Sequence, residues 1–245
     1  MIVIAHRGAC HEAIENTWRA FELTKNMGAH RVELDVRLLK DGEMVVCHDD
    51  SLERVFSRKS QISQMTREDL KKIRQDHPDH HIPRLKEVLD SFIPSLGFHV
   101  EIKENNLHLA EAVVHLVQLY SESSCVVLGS FYPNVLKHIR KIDPDRPLAF
   151  IWDHTTFQGT PQKAHELLGG ASLLDYHPHV DCLNKDMIEE AHSLGGRVYP
   201  WISYEGVTLE DEQKIWPQLL ALGVDGLCTN FPRQLLHWLG QKRSY

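Results

Sequence analysis

The chain has 245 residues, 42% of them hydrophobic, which is material for one large core or two small ones. A formal net charge of -7 with no basic block excludes nucleic acid or an anionic membrane as the main partner, so an anionic small molecule would have to be captured by local cations. Five cysteines without a C-x-x-C pair exclude a disulfide framework and a structural zinc and point to reduced thiols in the cytoplasm, with no signal peptide or membrane span expected ahead of a strand that starts at Ile2.

Ile2 to His6 is the first apolar run. Asn16-Thr17 caps an amphipathic stretch that contains Trp18, Phe21 and Leu23 and ends at Gly28, and Arg31 to Val36 is a second strand. Lys40-Asp41-Gly42-Glu43 predicts a hairpin, with Met44 to Cys47 as the returning strand. A two-residue turn at Asp41-Gly42 would set His48 opposite Asp35, on the face that Glu33 also shares. Asp50 to about Arg84 is charged and weakly helical, with Thr66 and Asp69 as a variant capping box, and is expected to be an insertion that caps one end of the fold. Within it, His77-Pro78-Asp79-His80-His81 has no nearby carboxylate or Cys partner and is taken as a solvated loop.

From there strands and helices alternate at intervals of roughly 25 residues. The strands are Phe98 to Lys103, Cys125 to Ser130, Leu148 to Trp152, Ser172 to Tyr176, Arg197 to Ile202 and Val224 to Cys228; helices include Leu107 to Tyr120 and Asp186 to Leu194, the latter stopped by Gly195-Gly196. Eight strands with interleaved helices predict an α/β fold, a (β/α)8 TIM barrel with a small insertion between the second and third barrel strands; a doubly wound open sheet is the alternative. His177 and His179 close an apolar run, and a place at a pocket rim is the minor reading for them.

The polar residues at the strand ends carry the chemistry. Glu33 and Asp35 alternate with Val32, Leu34 and Val36, and Glu101 and Lys103 repeat the i, i+2 spacing. An isolated E-x-D is usually the wet face of a strand, but a central barrel strand has no simple wet face, and its C-terminal end is where barrel enzymes work. Three carboxylates gathered from neighbouring strands repel unless a cation lies among them, and oxygen ligands suit Mg²⁺ or Ca²⁺ better than zinc. His6 alone reads as a core histidine; followed by Arg7 and Gly8 it stands beside a fork of donors matched to phosphate oxygens. Glu15 and Asn16 open a helix at the same end and could orient Arg7 or the His6 loop.

Taken together, His6-Arg7-Gly8, Glu15-Asn16-Thr17, Glu33-Leu34-Asp35-Val36, Lys40-Asp41-Gly42, His48-Asp49, Leu52-Glu53-Arg54, Ile82-Pro83-Arg84-Leu85, Glu101-Ile102-Lys103, Ser130-Phe131 and Gly223-Val224-Asp225-Gly226 resemble the glycerophosphodiester phosphodiesterase family over nearly the whole chain. The resemblance implies a barrel of the phosphatidylinositol-phospholipase-C-like type. It also implies hydrolysis of glycerophosphodiesters to an alcohol and sn-glycerol 3-phosphate, a role in glycerol and lipid metabolism. By motif it implies Glu33, Asp35 and Glu101 as ligands of one divalent cation, Mg²⁺ or Ca²⁺, His6 and His48 as the acid/base pair, and Arg7 and Lys103 on the phosphate. Trp201 and Phe131 are expected to wall the glycerol carbons.

The chain departs from the family's pattern at Ile14, where Pro is usual, at Trp201-Ile202, where Trp-Thr is common, and at Thr229-Asn230, where Thr-Asp is common. A lysophospholipase D acting on lipid-bearing diesters and a catalytically silent phosphometabolite-binding barrel are the rival readings.

Overall fold

The computed structural model describes residues 1–76, 82–170 and 174–242. The chain runs β1 (Ile2–Ala5), α1 (Trp18–Asn26), β2 (Arg31–Leu38), β3 (Met44–Val46), α2 (Glu53–Phe56), α3 (Arg67–Asp76), α4 (Leu85–Phe92), β4 (Gly97–Ile102), α5 (Leu107–Val117) and β5 (Val126–Ser130). It continues through α6 (Pro133–Ile142), β6 (Leu148–Trp152), α7 (Pro161–Leu167), β7 (Leu174–Pro178), α8 (Lys185–Ser193), β8 (Arg197–Val198), α9 (Leu209–Leu222), β9 (Gly226–Thr229) and α10 (Pro232–Lys242). The predicted loop at residues 77–81 and the start of the predicted strand at Ser172 lie outside the described residues.

Eight strands pair in parallel in the order β8-β7-β6-β5-β4-β2-β1-β9, and β3 attaches antiparallel to β2. Beyond the short β8 the chain stays extended: the Cys228 amide donates to the Pro200 carbonyl at 2.9 Å, and Trp201 bridges Cys228 in parallel, bringing the two ends of the sheet together into a nearly closed barrel. Pro200, with no N–H, is where the ladder thins. Val32, Leu34, Val36, Val100 and Ile102 are fully buried outward against the helices, in one apolar cluster with α4 and α5. Their alternate neighbours Glu33, Asp35 and Glu101 therefore face the barrel interior.

Helix starts and stops follow the residue chemistry. The Thr17 hydroxyl accepts from the Ala20 amide at the N-terminus of α1, and Thr66 and Asp69 reciprocate ahead of α3. Between β3 and α4, α2 and α3 with a 3₁₀ turn at Ile62–Gln64 enclose a second apolar cluster, in which Leu52, Ile62, Met65, Leu70 and Ile73 pack on Leu39, Val45 and Cys47 of the hairpin.

The hairpin register differs from the expected one. Val36 pairs with Val46 and Leu38 with Met44, and the Leu39 amide donates to the Glu43 carbonyl. The loop thus has three residues, Lys40-Asp41-Gly42, with Gly42 in the left-handed region at φ 84°. This is the turn-plus-bulge solution rather than the two-residue turn. Cys47, not His48, stands opposite Asp35, its amide donating to the Asp35 carbonyl at 2.9 Å.

Candidate active site

At the end of β1 the chain turns sharply, with Arg7 at φ 55° and Gly8 at φ 82°. A Cβ on Gly8 would come within 2.8 Å of the Ala20 side chain, so only glycine lets this loop press against α1. The turn aims the Arg7 amide at Glu33 Oε2, 2.8 Å away. Asn16, also left-handed at φ 57°, donates its side-chain amide to Asp35 Oδ2 at 2.7 Å.

Ligand-type oxygens of Glu33, Asp35 and Glu101 all lie within 4.8 Å of one another, and the three residues are buried. Burial, then the charges of Asp35 and Glu101, hold the Glu33 carboxyl well above its ordinary range, and Glu33 Oε1 has no hydrogen-bond partner. Asp35 is the opposite case. Burial works against its ionisation, but Lys103, His48 and Arg7 prevail and hold it below the usual range. Lys103 Nζ lies 2.7 Å from Glu101 and 3.6 Å from Asp35, and these two carboxylates, overcoming burial, push its ammonium up to about 12. An orphaned buried oxygen beside two further carboxylates fits a hard divalent cation.

His6 is buried, and its Nδ1 lies 2.8 Å from Asn230 Oδ1; burial, then the neighbouring Arg7 charge, push it down to about 3. Asn230 Nδ2 donates to the Ser203 carbonyl, so Oδ1 is the accepting end and the His6 proton sits on Nδ1. His48 lies beyond the strand; its Nδ1 meets Asp49 Oδ1 at 2.6 Å, and its charge acts on both Asp35 and His6. The histidine therefore reaches the site from the segment after β3, although the ladder does not set it opposite Asp35.

Arg7 Nη1 donates to Glu15 Oε1 at 2.9 Å while its Nε approaches Asp35 at 3.6 Å. Arg54, on α2, grips both oxygens of Glu15 at 2.7 and 2.8 Å and Asp49 Oδ2 at 2.6 Å. Burial opposes ionisation of Glu15, but Arg54 and Arg7 hold its carboxyl below the ordinary range. The Tyr204 ring lies 5.4 Å from the Arg7 guanidinium and 5.9 Å from that of Arg54. Trp201 meets Phe131 edge-on at 5.9 Å, and Lys103 Nζ is 5.7 Å from the Phe131 ring centre.

His177 is not at a rim. It is buried in the barrel with His99 and Asp175, because the i, i+2 rule turns it inward with Asp175; only His179, edge-on to Trp201, stands near the open end. This deeper trio is a poor cation cradle: Arg31 donates to His99 Nε2 at 2.8 Å, and Arg197 takes both oxygens of Asp175 at 3.0 and 3.1 Å. In a further group, His6 and Glu33 with Cys228, burial holds the thiol protonated.

Sequence reasoning gave no role to Asn230, Ser203, Tyr204, Asp49 or Arg54. Asp49 and Arg54 stand in the motifs His48-Asp49 and Leu52-Glu53-Arg54, the one signal that could have singled them out.

The glycerophosphodiester phosphodiesterase of Bacillus altitudinis is 29% identical over 246 residues, covering 94% of each chain. Human lysophospholipase D GDPD1 is 25% identical over 275 residues, covering 96% of this chain and 85% of its own. A phosphodiesterase from Oleispira antarctica, solved with the product sn-glycerol-3-phosphate, superposes with a TM-score of 0.83 at 23% identity, covering 98% of this chain and 97% of its own, and shares the barrel. Residues 6–234 match the Glycerophosphoryl diester phosphodiesterase family, and the chain belongs to that family.

Proposed function

We propose that the protein hydrolyses glycerophosphodiesters to an alcohol and sn-glycerol 3-phosphate with a divalent cation, Mg²⁺ or Ca²⁺, held by Glu33, Asp35 and Glu101. The observation that carries this reading is the buried carboxylate trio flanked by Arg7 and Lys103, with His6 within 4.8 Å of Glu33 and His48 near enough to act on Asp35. Bound there, the cation would neutralise charge on a non-bridging phosphate oxygen and lower the pKa of the glycerol 2-hydroxyl.

Arg7 and Lys103 offset the remaining phosphate charge. His6, neutral and with its proton on Nδ1, presents Nε2 as the base that takes the hydroxyl proton as the oxygen attacks phosphorus. His48 protonates the departing alcohol, leaving a five-membered cyclic phosphate. Water then opens the ring with the histidine roles reversed, and sn-glycerol 3-phosphate is released. Trp201 and Phe131 wall the glycerol carbons, with Glu15 and Asn16 supporting Arg7 and Asp35.

Residues 1–245 are read as one barrel domain in which about 50–84 form the inserted cap. Its five cysteines are unpaired, as a cytoplasmic enzyme's would be, and no described helix is long and apolar enough to cross a membrane. Kinship to lysophospholipase D supports a second reading, in which the departing alcohol carries a lipid chain.

One assay tests both. Turnover of glycerophosphocholine, glycerophosphoethanolamine, glycerophosphoinositol and lysophosphatidylcholine is measured with Mg²⁺, Ca²⁺ or chelator. Cation-dependent release of sn-glycerol 3-phosphate from the first three is expected, and preference for lysophosphatidylcholine would favour the second reading. His6→Ala and His48→Ala should each lose on the order of 10² to 10⁴ in rate while keeping the fold. Wild-type-like turnover in both variants sinks the acid/base pair.

A further inference from the structure

We propose that Asp49 and Arg54 are positioning residues that lock the leaving-group acid and the phosphate arm into one rigid unit, an inference that rests on the acid role assigned to His48 above. The planar Arg54 guanidinium spends Nη1 and Nη2 on the two oxygens of Glu15 and Nε on Asp49 Oδ2, at 2.8, 2.7 and 2.6 Å. Each carboxylate holds a second group with an oxygen it also presents: Glu15 Oε1 takes Arg7 Nη1 at 2.9 Å, and Asp49 Oδ1 takes His48 Nδ1 at 2.6 Å. The chain of contacts runs unbroken from Arg7 through Glu15, Arg54 and Asp49 to His48.

The chemistry assigns the direction of each contact. Asp49 is held ionised below the usual carboxylate range by Arg54 and then His48, against the cost of burial, so it accepts and His48 donates from Nδ1. The proton His48 exchanges with the leaving oxygen is then the one on Nε2, and the ring cannot turn over without breaking a charge-assisted bond. Glu15 is almost wholly buried with two guanidiniums on it, so it cannot be released from one without leaving a poorly compensated charge.

Arg54 comes from α2 in the segment between β3 and α4, and Tyr204, from the loop after β8, lies against both arginines. The segment that interrupts the strand rhythm thus supplies the residue that ties the two catalytic arms together. Lysine at 54 would not substitute, because one ammonium cannot reproduce a three-donor planar fork across two carboxylates.

The test compares glycerophosphocholine with the p-nitrophenyl ester of sn-glycerol 3-phosphate, whose nitrophenolate departs without needing a proton. Wild type, Asp49→Asn, Arg54→Lys, Arg54→Ala and His48→Ala are assayed with saturating Mg²⁺, with kcat and KM read separately and melting temperatures recorded. Asp49→Asn should lower kcat on glycerophosphocholine by about 10-fold or more, a part of what a general acid supplies, with KM nearly unchanged and the nitrophenyl ester losing less than about threefold. Both Arg54 variants should show the same selective kcat loss and also a raised KM on both substrates, as Arg7 loses its brace.

Equal losses of kcat on the two substrates in Asp49→Asn would mean a structural role only and would overturn the proposal, as would no loss at all. His48→Ala separates the two levels. If it too spares glycerophosphocholine, the acid assignment itself falls. If it loses glycerophosphocholine selectively while Asp49→Asn and Arg54→Lys do not, the acid assignment stands and the positioning role alone is refuted.

Discussion

His6 Nδ1 rests 2.8 Å from Asn230 Oδ1, and the other end of that amide is committed to the Ser203 carbonyl at 3.0 Å. The partner of the proposed base is therefore a neutral acceptor. An amide oxygen supports an imidazolium less than a carboxylate would, and burial and then Arg7, outweighing Asn230 and Asp35, push the ring down to about 3.

Asn230→Asp should raise the pKa of His6 by adding a negative charge beside Nδ1–H. A general base works when unprotonated, so a higher pKa means that activity on the acid side is lost at higher pH than in the wild type. The acid limb of kcat/KM against pH is expected to move up. A limb that stays in place or moves down would show that His6 is not the titrating base.

The carboxylate trio makes a separate prediction. Glu101→Gln keeps the shape and an acceptor for Lys103 but removes one charge from the three that face each other. Divalent affinity by calorimetry should fall about tenfold or more, and chelation should silence the wild-type enzyme. Undiminished affinity in Glu101→Gln would leave Glu33 and Asp35 as the only cation ligands of the three.

How much of this was legible in the sequence depends on the range of the cause. Strand periodicity and short connections are local, so β1, β2, β4, β5 and β6 could be located from apolar runs, and the spacing of Glu33, Asp35, Glu101 and Lys103 placed them on inner faces. Asn230 and Ser203 could not be foreseen beside His6, because only closure of the sheet between β8 and β9 brings them there. Glu212 was equally invisible. It looks like a helix-surface glutamate, yet it is fully buried and accepts from the Asn230 amide and the Thr229 hydroxyl. The hairpin register failed for a smaller reason: Asp-Gly serves both two- and three-residue loops, and the apolar pattern on a strand covered from both sides does not choose between them.

That register is itself testable. Gly42 lies at φ 84°, a conformation that costs a β-branched residue steric strain even though a Cβ there meets nothing within 4 Å. Gly42→Val should lose about 1 kcal/mol or more in urea unfolding, with smaller loss in Gly42→Asn, which tolerates the left-handed region. Equal stability in the two variants would argue against a left-handed backbone at this position.

The buried histidines of the barrel interior set an acid limit on stability. Burial, then the charges of Arg31 and Arg197, push His177 from 6.5 down to about 3, and His99, whose ring lies 4.7 Å away, is lowered as well. The folded state refuses a proton that the unfolded chain accepts, so this contribution is full above pH 6.5 and is lost as the pH falls toward about 3. For His177 alone the slope in that window approaches about 1.4 kcal/mol per pH unit. Carboxylates also weaken the fold in acid, but they do so in any variant that keeps them. The difference in unfolding free energy between wild type and His177→Phe should therefore shrink in favour of the variant as the pH is lowered from 6.5, and parallel curves would show that His177 is not held neutral by the barrel.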